Sequence, residues 1–113
     1  MIASIRGIVN AKTTSQLVVD VNGVGYLLHV TANTAAKHQL GTETSLFTAM
    51  IVREDAMTLF GFTSALEQEL FDLLRSVTGV GPKSALAILG ALSTAEIASA
   101  ENKRLRASSS TAA

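Results

Sequence analysis

Cysteine is absent from the 113 residues, which excludes disulfides and thiolate metal sites. Aromatic residues are few: no tryptophan, one tyrosine and four phenylalanines. They form no ladder of the kind on which unpaired bases stack, and Met50, Met57 and the phenylalanines read as core or interface packing. Excess charge is lacking too. Nine Lys and Arg against nine Asp and Glu give a formal net charge of +0. Such a chain does not coat nucleic acid by bulk electrostatics. Any DNA binding must come from local geometry and a few cations, multiplied by self-association. The two histidines, His29 and His38, stand alone, so neither a metal nor another cofactor is expected. Met1-Ile2-Ala3-Ser4-Ile5-Arg6-Gly7 holds no long apolar run. Neither a signal peptide nor a membrane span is expected, and a cytoplasmic location is.

What is there begins with a hydrophobic share of 48%, enough for one small domain, or one plus part of a second. Residues 1–11 read as a strand through Ile2, Ile5, Ile8 and Val9, with Gly7 as the candidate bulge or bend. Leu17, Val19 and Val21 alternate with Val18, Asp20 and Asn22, the pattern of a half-buried strand. Asn22-Gly23 then signals a tight hairpin, and Tyr26, Leu28 and Val30 alternate back. Residues 32–40 suit a short helix capped by Asn33 or Thr34 and stopped at Gly41, with Ala32, Ala35, Ala36 and Leu40 as its apolar face. Alternation returns over residues 44–52 and again over residues 57–62, with Arg53-Glu54-Asp55-Ala56 as the tip between them. Five short strands with one small helix between the third and fourth match the order of an OB-fold barrel, with a generic five-stranded barrel or sandwich as the alternative. The fold class is thus a β barrel over residues 1–62 followed by a small helical domain over residues 63–100.

Ser64-Ala65-Leu66-Glu67 is a capping box that opens the helical half. The first helix runs to about Arg75. Thr78-Gly79-Val80-Gly81-Pro82-Lys83 follows, and a second helix runs to Leu89 with Gly90 near its end. Two glycines one residue apart permit positive φ and leave amides uncovered. Pro82 suits the first helical position, with Lys83 and Ser84 in the first turn. Bare amides, a helix N-terminus and a lysine converge as a site for a phosphate oxygen would require, although most Gly-x-Gly pairs are simply turns. The spacing fits neither a dinucleotide fingerprint nor a nucleotide-triphosphate loop. What remains is a helix-hairpin-helix that grips a nucleic-acid backbone without reading sequence. Ser93-Thr94-Ala95-Glu96 repeats the capping pattern and predicts a third, short helix. Residues 101–113, with Lys103-Arg104-Leu105-Arg106 and a run of serines, read as a disordered basic tail.

Glu54 and Asp55 are adjacent carboxylates at a hairpin tip. Solvating a turn is their ordinary role. Neighbours in a turn point different ways, so they make a poor acid–base pair. Held beside DNA, they would instead repel phosphates. His29 reads as a surface or barrel-mouth residue, and His38 as a helix-surface residue.

Four ordered motifs carry a resemblance over residues 1–100. They are Met1-Ile2 leading to Arg6-Gly7, then Val21-Asn22-Gly23-Val24-Gly25-Tyr26, then Val52-Arg53-Glu54-Asp55-Ala56 with Leu59-Phe60-Gly61-Phe62, and Gly79-Val80-Gly81-Pro82-Lys83 with Ala85-Leu86-Ala87-Ile88-Leu89. Together they resemble the RuvA family of bacterial Holliday-junction proteins. The resemblance implies a non-catalytic, nucleoid-associated homotetramer that holds a four-way junction open for recombination and repair. It would load a RuvB-type hexameric ATPase, and a RuvC-type resolvase would act on the same junction. It assigns phosphate contacts to Gly79, Val80, Gly81, Lys83 and Ser84, and an acidic pin at the junction centre to Glu54 and Asp55. The family's second helix-hairpin-helix, with its own Gly-x-Gly, has no counterpart here, nor has the C-terminal domain that touches the motor. A shortened or frame-shifted product is therefore expected, lacking the domain for motor contact. A nonspecific single-strand-binding module, and a fragment that only oligomerises, are the other readings.

Overall fold

The computed structural model describes residues 2–92. The helix expected from Ser93 and the tail over residues 101–113 lie outside the described residues. Five strands come first: β1 (Ser4–Lys12), β2 (Gln16–Val21), β3 (Val24–His29), β4 (Glu43–Arg53) and β5 (Ala56–Phe62). They close into a barrel in the order β1-β2-β3-β5-β4, and a short helix, α1 (Ala32–Lys37), lies between β3 and β4. That is the expected OB fold. All strand pairs are antiparallel except β3 with β5, where Leu28 pairs Leu59 and His29 pairs Phe60. Two helices follow, α2 (Ala65–Arg75) and α3 (Pro82–Ala91). None of the described helices is long and apolar enough to cross a membrane.

Period-two alternation sets the barrel interior. Ile5, Val9, Leu17, Val19, Leu28, Val30 and Leu46 are buried there together with Ala35 of α1. The β2–β3 hairpin turns at Asn22 and Gly23, with φ of 52° and 91°. Positive φ at both central positions matches the twist of the flanking strands. The Gly23 N–H donates to Asp20 Oδ1 at 2.9 Å and fixes the turn.

Two local expectations are corrected. The bulge is at Asn10, where the β1–β2 register slips between Val9 and Ala11, and not at Gly7. Gly7 is a close approach instead: a Cβ there would overlap the Asp20 carbonyl oxygen of the facing strand. Helix α1 is capped by Thr31, not by Asn33 or Thr34; the Thr31 hydroxyl accepts the Thr34 N–H at 3.2 Å. It ends at Lys37, well before Gly41, because Lys12 Nζ reaches over from β1. Lys12 donates to the carbonyls of Ala35 and His38 at 3.2 and 2.9 Å, which satisfies the helix end. Leu40 is left 60% exposed, and Gly41 (φ 81°) turns the chain into β4.

The helical half is fastened to the outside of β4 and β5. Ser64 accepts the Glu67 N–H at 3.2 Å as the capping box requires. The Glu67 carboxylate reaches one residue further back than the cap, accepting from the N–H and hydroxyl of Thr63 at 2.9 Å each. Gln68 Nε2 donates to the Thr48 carbonyl at 2.8 Å. Phe60 and Phe62 point outward from β5 into a second core with Phe71 of α2 and with Ala85, Leu86 and Leu89 of α3. Leu59 and Gly61 of the same strand face the barrel interior. Burial on both faces at the second half of β5, Phe60 to Phe62, explains the apolar run there, while Ala56 and Met57 are exposed.

Replacing Gly7 by Ala forces the β1 backbone away from Asp20. We expect a loss of about 2 kcal/mol or more in stability. Equilibrium urea unfolding checks this, and a midpoint unchanged from the parent chain refutes the close-approach reading.

Candidate nucleic-acid interface

The loop between α2 and α3 is built to leave amides open. Ser76 closes α2: its N–H donates to the carbonyls of Asp72 and Leu73, and its hydroxyl to the Leu73 carbonyl at 2.6 Å. Val77 N–H donates to the Leu74 carbonyl, and Val80 N–H to the Val77 carbonyl at 3.1 Å. The Val80 N–H is therefore engaged within the loop. Its half-buried side chain packs on the phenylalanine core and pins the loop to it. Only Gly79 takes positive φ, at 88°. Gly81 is extended (φ −82°, ψ 172°) and is the N-cap of α3, with no side chain to close the helix end. The expectation that both glycines turn with positive φ is corrected accordingly. Gly79 supplies the turn, and Gly81 supplies an uncovered cap.

Pro82 at the first helical position has no N–H to satisfy. The N–H groups of Gly79, Gly81, Lys83 and Ser84 find no acceptor among the described residues. A Cβ built on Gly79 or Gly81 meets nothing within 4 Å, so the approach to these amides is open. The Lys83 side chain is exposed and makes no ion pair or hydrogen bond among the described residues. Uncapped amides at the positive end of a helix, beside a free ammonium, can hold an anionic oxygen.

The structure brings the second expected feature to the same place. Glu54 and Asp55 form the two-residue turn joining β4 to β5, and both are exposed. Asp55 lines a cleft of about 460 Å³ whose opposite wall is Gly81, Pro82, Lys83 and Ser84. Glu54 does not line it. Asp55 and Lys83 form no ion pair. Arg6 Nε and Glu43 Oε1 do pair, at 3.8 Å and far out in solvent. A lysine and a carboxylate thus face one space without neutralising each other.

Sequence reasoning missed two residues of this surface. Arg53 lines the cleft from the outward face of β4. Its parity with Ile51 was the available signal, since Ile51 packs toward the helical core. His29, read as a surface or barrel-mouth residue, lies outward against Phe60, with ring centroids 5.5 Å apart. Burial, and secondarily the charge of Lys83, hold its pKa below the usual imidazole value. No sequence signal gave the parallel β3–β5 pairing that puts His29 beside this helix. His38 is elsewhere, with Nδ1 2.7 Å from the Thr34 carbonyl.

The barrel with its helix between β3 and β4, carrying a helical hairpin on its outer face, defines an OB-fold protein of the helix-hairpin-helix class. The chain belongs to the RuvA family: the model described as RuvA N terminal domain matches residues 1–61. A second model, the SAM-like helix-hairpin-helix tandem, matches residues 71–109, running past the described residues. Similar curated proteins carry the name Holliday junction branch migration complex subunit RuvA. One, from Nocardia farcinica, is 50% identical over 92 residues, covering 81% of this chain and 46% of the relative. Others, from Chloroflexus aurantiacus and Rhodococcus opacus, are both 48% identical over 98 and 100 residues, covering 86% and 88% of this chain and 50% of each relative. The chain spans about half the length of the curated relatives it matches.

Substituting Gly81 by Asp separates the two properties of this helix end. The carboxylate caps α3, adding up to a few tenths of a kcal/mol, while filling the site with negative charge. We expect an unchanged or raised melting temperature and loss of DNA binding in the same variant. Retained binding in a gel-shift assay excludes the α3 N-terminus as the contact.

Proposed function

We propose that this chain binds the phosphodiester backbone of a four-way DNA junction and holds the junction open. The observation that carries this is the set of open amides at Gly79, Gly81, Lys83 and Ser84, with the Lys83 ammonium among them and Asp55 across the cleft. The amides and lysine attract a phosphate and carry no information about sequence. Asp55, with Glu54 beside it, repels one. Attraction and repulsion on one surface set where a strand runs and where it does not, which suits a branched substrate better than a uniform rod. Membership in the RuvA family supports the reading, since the named relatives are subunits of a branch migration complex.

The binding unit is a homotetramer with the Glu54–Asp55 turns near its centre. One lysine gives a salt slope of only about −0.9, and four copies multiply both the slope and the effective concentration. A chain with no net charge binds a polyanion by this route. The barrel, residues 1–62, supplies the assembly and the acidic turn, and residues 63–100 supply the phosphate grip. The chain is a non-catalytic subunit without a cofactor. Its partners are the junction, a RuvB-type hexameric ATPase that moves the arms, and a RuvC-type resolvase on the same junction. Recombination and repair in the cytoplasm, at the nucleoid, is the setting. A single-strand-binding module is disfavoured, because Phe60, Phe62 and Phe71 are buried, and Phe47, 42% exposed, is the one phenylalanine left at the surface, too few for a stacking ladder.

Gel-shift titration of a four-way junction against linear duplex of the same length tests the reading. We expect preference for the junction, and Lys83→Ala to weaken both complexes and flatten the salt slope. Equal affinity for the two DNAs, or an unchanged slope in the variant, counts against it. Replacing Glu54 by Gln and Asp55 by Asn together is expected to leave or strengthen junction affinity while altering strand separation, read by 2-aminopurine fluorescence at the crossover. Sharply reduced affinity in that double variant contradicts a repulsive role.

A further inference from the structure

Lys83 stands on a ridge between two clefts. One is the space shared with Arg53 and Asp55. The other, about 560 Å³, lies between α3, the end of β3 and the loop that precedes β2. Its walls carry the His29 imidazole, the hydroxyls of Thr14 and Ser15, the Lys83 side chain and the apolar flank of α3 at Leu86. Nothing in the family reading uses this second cleft.

We propose that His29 and Lys83 form a second phosphate subsite, which takes a phosphodiester adjacent to the one held by the hairpin amides. The proposal rests on the DNA-binding reading above. Three observations carry it. The imidazole packs beside Phe60, the two tilted rings having centroids 5.5 Å apart. Neither ring nitrogen has a hydrogen-bond partner among the described residues, so the donor is available to a ligand. Thr14 and Ser15 offer hydroxyl donors from the facing loop, and their hydroxyls are likewise unengaged there.

The charges around the imidazole give the site its signature. Lys83 faces it from α3. From β5 it meets Phe60, from β2 its paired residue is Gln16, and the facing loop presents Thr14 and Ser15. No carboxylate lines this cleft. Burial first, and Lys83 second, push the His29 pKa below its ordinary 6.5, so the free chain carries this imidazole neutral at pH 7. A phosphate between the two groups offsets the lysine charge and stabilises the imidazolium. The bound state then holds a proton that the free state lacks. Linkage gives the sign: affinity rises as pH falls from the bound-state pKa toward the free-state pKa, and levels off below the latter. Loss of the dependence in His29→Gln, and not the dependence alone, assigns it to histidine.

The test measures Kd for a four-way junction from pH 7.5 to 5.5 at fixed ionic strength, for the parent chain, His29→Gln and His38→Gln. The parent complex is expected to tighten about 3- to 10-fold over the window, consistent with uptake of one proton. The dependence disappears in His29→Gln and persists in His38→Gln. At pH 5.5 the salt slope of the parent exceeds that of His29→Gln by about 0.9. Proton NMR of the His29 C2–H, which needs no variant, should show its pKa rising when the junction is added. A pH dependence retained in His29→Gln, or a His29 pKa unmoved by DNA, overturns the subsite and leaves the hairpin reading standing. Absence of DNA binding by the parent chain at every pH overturns both.

Discussion

Phe71 lies between Phe60 and Phe62, with ring centroids 5.1 and 4.9 Å away, and the placement of the α3 N-terminus against the barrel depends on that contact. It joins the outer face of β5 to α2. Ala85, Leu86 and Leu89 bring α3 onto the same cluster, and Val80 ties down the loop between the helices. The Arg75 guanidinium sits 5.6 Å over the Phe71 ring and anchors the end of α2. Truncating a phenylalanine in such a cluster ordinarily costs about 3–5 kcal/mol, a large share of the stability of a small domain. The glycines of the hairpin are open to solvent and stabilise nothing by packing. Their orientation toward Asp55 is inherited from the aromatic contact beneath them.

The electrostatics of the surface follow from the same placement. Lys83 is exposed and makes no ion pair among the described residues, Asp55 faces it across a cleft, and burial lowers the pKa of His29 behind it. Two unit charges at surface separations interact by only about 1–4 kcal/mol, and salt screens them further. No single group here binds DNA tightly. The arrangement is suited to summation: open amides, one lysine, a second donor group and the repetition of the whole set in the proposed tetramer. On the proposed reading a neutral net charge is an asset, because binding would depend on geometry and assembly and not on a basic face that any duplex would satisfy.

Much of this was legible in the residues. Alternation in β2 and β3, with Asn22-Gly23 between them, located the first hairpin because a two-residue turn with positive φ at both positions has few other sequences. Ser64 and Glu67 located the start of α2 through capping chemistry. The Pro82-Lys83 pair after Gly81 marked the site because it uses a helix start in a way a generic turn does not. The misses share a cause. Thr31 is the cap because its hydroxyl reaches the Thr34 N–H, and α1 stops early because Lys12, distant in sequence, satisfies its last carbonyls. Gly7 was read as a bulge or bend because a close approach depends on the partner strand. Gly81 was given positive φ although it acts as a cap. Arg53 and His29 were passed over because their roles come from a cleft assembled by the parallel β3–β5 pairing. Local pattern carries local structure, and contacts between distant segments were the part it did not carry.

The central claim is that the amides at the start of α3 are the DNA contact. Titrating the isotopically labelled chain with a four-way junction and following backbone amide chemical shifts tests it most directly. The account predicts that the largest perturbations fall on Gly79, Gly81, Lys83 and Ser84, with Arg53 and His29 next. Perturbations centred on the opposite side of the barrel, at residues such as Ile8 and Arg6, with the hairpin amides unmoved, would contradict it.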